Sequence, residues 1–127
     1  MVLNLMIVDD HAGIRELIRN MIATPGDVVR ECASGDEALR ALSDFQPDCV
    51  TMDISMPGQC AFNTTRSIRT ACPEAEVIMV SSHDLLDYRR AALEAGANGY
   101  VAKENLVQLP SMVETKRLLT SFKRLTR

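Results

Sequence analysis

Nowhere does this chain stay apolar for the roughly 18 residues that a membrane span needs, so no span is expected. The N-terminus, MVLNLMIVDD, has no basic segment ahead of its apolar stretch and no small-residue cleavage pattern. It reads as a strand rather than a signal peptide, and the protein is expected in the cytoplasm. Cys32, Cys49, Cys60 and Cys72 lack CxxC spacing and a neighbouring histidine cluster, which argues against a thiolate metal centre. They are expected as reduced thiols, mostly packed as small apolar groups. Internal repeats, low-complexity runs and linkers are also missing, so the 127 residues are expected to form one domain, 1–127. Basic charge is scarce over most of the chain. Residues 114–127 hold Lys116, Arg117, Lys123, Arg124 and Arg127 against Glu114, a local +4, while the net charge is −3. The preceding 113 residues therefore sum to −7, too acidic for a nucleic-acid surface. The basic end is expected to be a solvated helix face whose cations suit the helix dipole.

What the chain does have is alternation. Residues 3–8, LNLMIV, form a short apolar run stopped by Asp9 and Asp10. Ile14, Leu17, Ile18, Met21 and Ile22 then follow the spacing of an amphipathic helix. VVRECA is a weaker strand, and Ser34 with Glu37 makes a capping box for a helix running to Phe45. DCVTMD is the third strand, followed by a helix over 60–71 with Phe62, Thr65, Ile68 and Cys72 on one side. AEVIMVSS is the fourth strand. DLLDYRRAALEAG is a helix with Asp84 as N-cap and Gly96 as its stop. NGYVAK is the fifth strand, and Pro110 opens the last helix, about 110–124. Five strands alternating with five helices imply a mostly parallel sheet covered on both faces, a doubly wound α/β fold.

In an open parallel sheet the functional crevice lies beyond the carboxyl ends of the strands. The residues there are Asp9 and Asp10 after strand 1, Asp53 after strand 3, Ser81 and Ser82 after strand 4, and Lys103 after strand 5. Three clustered carboxylates resist ionising unless a cation is present. Mg²⁺ suits oxygen ligands, and no nitrogen or sulfur donor of the kind Zn²⁺ prefers is expected there. A serine hydroxyl and a lysine ammonium suit phosphate oxygens, and an aspartate beside a metal can be a nucleophile. The set points to phosphoryl transfer onto a carboxylate. Taken singly, Asp9 or Asp10 could cap the following helix, Ser81 and Ser82 could be loop residues, Lys103 a surface lysine and Asp53 the start of a turn. Four successive strand ends carrying compatible groups favour the joint reading.

Two other chemistries fit less well. A cobalamin-binding Asp-x-His-x-x-Gly pattern fails because Gly13 stands two residues after His11, which is instead expected at the helix N-terminus near the acids. A turnover phosphatase needs a second acid two residues after its nucleophile, where Ser55 stands.

The stretches MIVDDH, VTMDISMPG, VIMVSSHD and ALEAGANGYVAK, in that order, carry a family resemblance. Over roughly residues 2–109 the chain resembles the receiver domain of bacterial two-component response regulators, most of all the NarL/FixJ type joined to DNA-binding output domains. The resemblance implies a flavodoxin-like sheet of order 2-1-3-4-5. It implies Asp53 as phosphoacceptor, and Mg²⁺ held by Asp9, Asp10, Asp53 and the backbone carbonyl of Ser55. Ser81 and Lys103 would engage the phosphoryl group, with Ser81 and Tyr100 as switch residues. The implied donor is a sensor histidine kinase, with a possible homodimer, no membrane contact, and DNA reached only through an output domain. The domain would catalyse only its own phosphorylation and dephosphorylation, and a docking role independent of phosphorylation is the alternative. The sequence departs from the family pattern at Gln59-Cys60-Ala61, where Met-Asp-Gly is common. It departs again at Glu104, where many receivers have Pro, and at Ser82, where a smaller residue is common.

Overall fold

The computed structural model describes residues 2–58 and 60–126. Five strands alternate with five helices: β1 (Asn4–Val8), α1 (Ala12–Ile22), β2 (Val28–Cys32), α2 (Gly35–Ala41), β3 (Cys49–Asp53), α3 (Ala61–Ala71), β4 (Glu76–Ser81), α4 (Leu86–Glu94), β5 (Gly99–Ala102) and α5 (Leu109–Leu125). A short 3₁₀ segment, Lys103–Gln108, links β5 to α5. All strand pairs are parallel, in the order β2-β1-β3-β4-β5. This is the doubly wound flavodoxin-like arrangement expected from the alternation and the resemblance.

The two-residue period of a strand sorts its side chains into two cores. Met6, Val8, Val50, Met52, Val77 and Met79 meet α2, α3 and α4 through Ala38, Ala41, Ile68 and Ala92. Leu5, Ile7, Cys49, Ile78 and Val101 meet α1 and α5 through Ile18, Ile22, Leu109 and Val113. Leu5, Met6 and Ile7 are fully buried, and each such side chain contributes about 1.5–3 kcal/mol from burial. Burial on both faces explains why the central strands are apolar throughout rather than alternating.

Local punctuation mostly follows the sequence. Ser34 Oγ accepts from the Glu37 N–H at 3.1 Å, but Glu37 reaches back to the Ala33 N–H at 2.9 Å, one residue short of a reciprocal box. Gly96 stops α4 with φ +94, a left-handed value that favours glycine. Pro110 sits in the first turn of α5. Cys32 and Cys49 are buried and their thiols pushed up to about 11 and about 12 by burial, so they pack as neutral apolar groups. Cys60 is exposed and Cys72 half-buried.

Four expectations need correction. Asp84 does not cap α4: the N-cap is Leu85, without a side-chain cap, and Asp84 accepts from Arg89 Nε at 2.5 Å instead. Leu17 lies on the edge of the apolar stripe of α1 and is exposed. The second helix ends at Ala41, and turns carry the chain on to a buried Phe45. The basic end is not simply a solvated face, because Lys116 and Arg117 are buried. Their long stems lie along the core side of α5 while their heads find partners. Lys116 Nζ donates to the Glu74 carbonyl at 2.7 Å. Arg117 donates twice to Asp27, Nη1 to Oδ1 at 2.8 Å and Nη2 to Oδ2 at 2.9 Å.

Asp27 thereby becomes the knot of the sheet's lower edge. Its carboxylate also accepts from the N–H groups of Leu3 (2.8 Å) and Thr24 (2.9 Å). Burial works to raise the Asp27 carboxyl, but the Arg117 and backbone hydrogen bonds outweigh it and hold the group well below the usual carboxylate range. A depressed folded value means that the unfolded chain binds the proton more readily. The stabilisation is therefore present above about pH 4 and lost as pH falls below it. Arg117→Met, which strands the buried carboxylate, is expected to cost about 3–5 kcal/mol in urea unfolding at neutral pH. Asp27→Asn is expected to flatten the loss of stability below about pH 4; a decline parallel to that of the native chain would refute the assignment.

Candidate functional site

Parallel register brings the carboxyl ends of the strands to one edge. Val8 pairs with Met52, so Asp9 and Asp53 emerge side by side from the two strands at the centre of the sheet. The Asp9 N–H extends the ladder to the Cys32 carbonyl at 3.0 Å. Asp53 is in register with Val80, and Ser81 with Ala102, which places Lys103 one residue beyond. The five groups expected to converge, Asp9, Asp10, Asp53, Ser81 and Lys103, do share this edge.

Asp9 and Asp53 are both buried. Asp9 Oδ1 accepts from the His11 N–H at 2.8 Å, and Asp53 Oδ1 from the Ser55 N–H at 3.1 Å. Neither Oδ2 atom has a hydrogen-bond partner. Lys103 Nζ stands 3.4 Å from Asp53 Oδ1 and 3.6 Å from Asp9 Oδ2, one ammonium shared by two buried acids. Burial pushes the Asp53 carboxyl up; the Ser55 N–H opposes this, Asp9 adds to it and Lys103 pulls it back, with the balance upward. Its ionised form is held at a cost.

Asp10 points outward, and its Oδ1 lies 3.0 Å from His11 Nδ1. One ligand atom from each of Asp9, Asp10, His11 and Asp53 lies within 4.8 Å of the others. Oxygen anions with two unpartnered buried lone-pair atoms fit a hard divalent cation, and Mg²⁺ in particular. The nitrogen corrects the expectation of an oxygen-only edge. His11 is the N-cap of α1, in extended conformation (φ −100, ψ 111), and its Nδ1 lies 3.4 Å from Asp9 Oδ1 and 3.0 Å from Asp10 Oδ1.

Ser81, at the end of β4, and Tyr100, in β5, both bond to His83 in the loop after β4. The buried Ser81 Oγ accepts from the His83 N–H at 3.0 Å, and Tyr100 OH donates to the His83 carbonyl at 2.5 Å. Arg89 lies over the Tyr100 ring, 4.7 Å from its centroid, and is itself paired with Asp84. Sequence reasoning assigns neither Arg89 nor His83 a role, although His83 lies within VIMVSSHD, because the contacts depend on how α4 docks against β5. Ser82 and Glu104 are exposed, and Gly58 turns the chain at φ +92. Gln59 lies outside the described residues; Cys60 is the N-cap of α3 and Ala61 its buried first residue.

Residues 5–114 match the family described as the response regulator receiver domain. The chain belongs to that family. Relatives of this receiver domain include the transcriptional activator protein ExaE of Pseudomonas putida, 37% identical over 80% of this chain and 48% of that protein. The chemotaxis protein CheY of Halobacterium salinarum is 31% identical over 86% of this chain and 89% of its own length. Among solved structures, a LuxR-family two-component response regulator from Aurantimonas sp. SI85-9A1 superposes with a TM-score of 0.80 at 34% identity, covering 91% of this chain and 84% of that one. That likeness agrees with the NarL/FixJ-type resemblance. The chain spans about half the length of the first curated relatives it matches.

An ionised carboxylate in this pocket, lacking enough positive charge, works against folding. Asp53→Asn is therefore expected to raise the melting temperature in chelator-containing buffer at neutral pH, by a few degrees for about 1–2 kcal/mol. An unchanged or lowered value by calorimetry would refute the charge deficit.

Proposed function

We propose that this receiver domain accepts a phosphoryl group on Asp53 from a phosphohistidine of a sensor kinase and so switches an output surface. The observation that carries this is the Asp53 carboxylate itself. It is buried at a strand end, with Oδ1 tied by the Ser55 N–H and Oδ2 unpartnered, and Lys103 stands 3.4 Å away. Oδ2 is the oxygen with lone pairs to offer. Its attack on phosphorus forms the acyl phosphate O–P bond as the donor's P–N bond breaks, and the electron pair leaves with the imidazole. Asp9, Asp10, Asp53 and the Ser55 carbonyl would hold Mg²⁺, which when bound neutralises charge on the transferring oxygens. Lys103 supplies the fixed cation on the other side, and the Ser81 hydroxyl can donate to a phosphoryl oxygen.

Switching follows from the same contacts. If Ser81 turns to a phosphoryl group, its bond to the His83 N–H is lost, and His83 is the residue that holds the Tyr100 hydroxyl. A new charge at Asp53 thus biases the β4–α4 loop and Tyr100 between two arrangements. Ser55 stands where a phosphatase would carry its second acid, so the domain turns over only its own phosphoryl group. No helix among the described residues is long and apolar enough to cross a membrane, which fits a cytoplasmic role. Transcription would be regulated through an attached DNA-binding region, with a phosphorylation-linked homodimer as its active form.

Incubation with acetyl phosphate and Mg²⁺ is expected to add the mass of one phosphoryl group, and Asp53→Asn to abolish the gain. No gain in the native chain would leave only the docking alternative. Sedimentation is expected to show association on adding beryllofluoride; a monomer in both states would remove the homodimer from the proposal.

A further inference from the structure

The pocket holds one donor that an oxygen-bound cation does not use. His11 makes no side-chain cap on α1, yet its backbone N–H is fixed to Asp9 Oδ1 at 2.8 Å. Its ring nitrogen Nδ1 lies 3.0 Å from Asp10 Oδ1 and 3.4 Å from Asp9 Oδ1. Two ligand atoms bound about 2.1 Å from a common ion lie about 3.0 Å apart when adjacent in an octahedron, and about 3.4 Å apart in a tetrahedron. The Asp10 distance therefore matches adjacent positions on an octahedral ion, and the Asp9 distance is a few tenths of an ångström wider. The side chains of Asp9 and Asp53 are only 1% exposed, and each has a buried Oδ2 with no hydrogen-bond partner, Lys103 standing 3.6 Å from that of Asp9. An ion pair between His11 and Asp10 alone would satisfy neither buried oxygen.

We propose that His11 Nδ1 is a further protein ligand of the divalent ion in this pocket, tuning it towards borderline first-row ions such as Ni²⁺ and Co²⁺ relative to Mg²⁺. The inference rests on reading the acid pocket as a cation site. Mg²⁺ gives up water reluctantly and takes oxygen, whereas imidazole suits the later first-row metals. The His11 side chain is 69% exposed, so Nε2 is open to water while Nδ1 faces the acids.

The test is calorimetric titration of the intact chain with Mg²⁺ and with Ni²⁺, repeated on His11→Ala, His11→Phe and Asp10→Asn, with circular dichroism confirming the fold of each. The ratio of Ni²⁺ to Mg²⁺ affinity is expected to fall about tenfold or more in both His11 variants. The Co²⁺-loaded native chain is expected to show a hyperfine-shifted imidazole proton resonance that His11→Ala lacks. A ratio unchanged within about twofold, whether both affinities fall together or neither moves, would overturn the proposal. An Asp10→Asn chain that still binds Mg²⁺ as the native one does would overturn the acid-pocket reading itself. Loss of Mg²⁺ binding in Asp10→Asn with an unchanged ratio in His11→Ala would remove only the role of His11.

Discussion

Two carboxylates kept out of water at the ends of adjacent central strands are the constraint to which the rest of this edge answers. Asp9 and Asp53 are buried, next to each other in register, and share a single lysine. Charges so placed are costly unless paired, and two of their oxygens have no hydrogen-bond partner. The fold tolerates the arrangement because β1 and β3 are locked between two apolar cores and cannot turn the acids outward. Two buried acids sharing one ammonium, on a frame of strands fixed between two apolar cores, leave this edge deficient in positive charge.

The frame has a counterpart held by few contacts. From Ser81 the hydrogen bonds run through both backbone groups of His83 to the Tyr100 hydroxyl, and the Tyr100 ring is covered by Arg89. Each link is a single bond or stack on an exposed loop, and such links are individually worth little. The opposite end of the sheet is built differently. There the Asp27 carboxylate gathers Arg117, Leu3 and Thr24 into one buried knot that ties α5 to the turn after α1.

Much of this was legible in the residues because a parallel sheet makes strand ends informative. Apolar runs of about four to six residues stop at Asp9, Asp53, Ser81 and Lys103, and parallel direction leaves only one edge for these residues to share. Gly96, Ser34 and Pro110 acted where expected because helix ends are decided by local backbone chemistry. What escaped were contacts between elements. Arg117 and Asp27 are 90 positions apart, and nothing near either one marks the other. Asp84 looked like a cap, but Arg89 on the following helix competes for its carboxylate. His11 was placed correctly at a helix start, while the approach of its ring nitrogen to the acids is a side-chain contact that the sequence does not display.

The central claim is that Asp53, and no other group at this edge, carries the phosphoryl group. Borohydride reduction of the chain after reaction with acetyl phosphate converts an aspartyl phosphate to homoserine, which peptide mass mapping can place at a single residue. The account predicts homoserine at position 53 alone. Conversion at Asp9 or Asp10, or at no aspartate in a chain that has gained the phosphoryl mass, would contradict it.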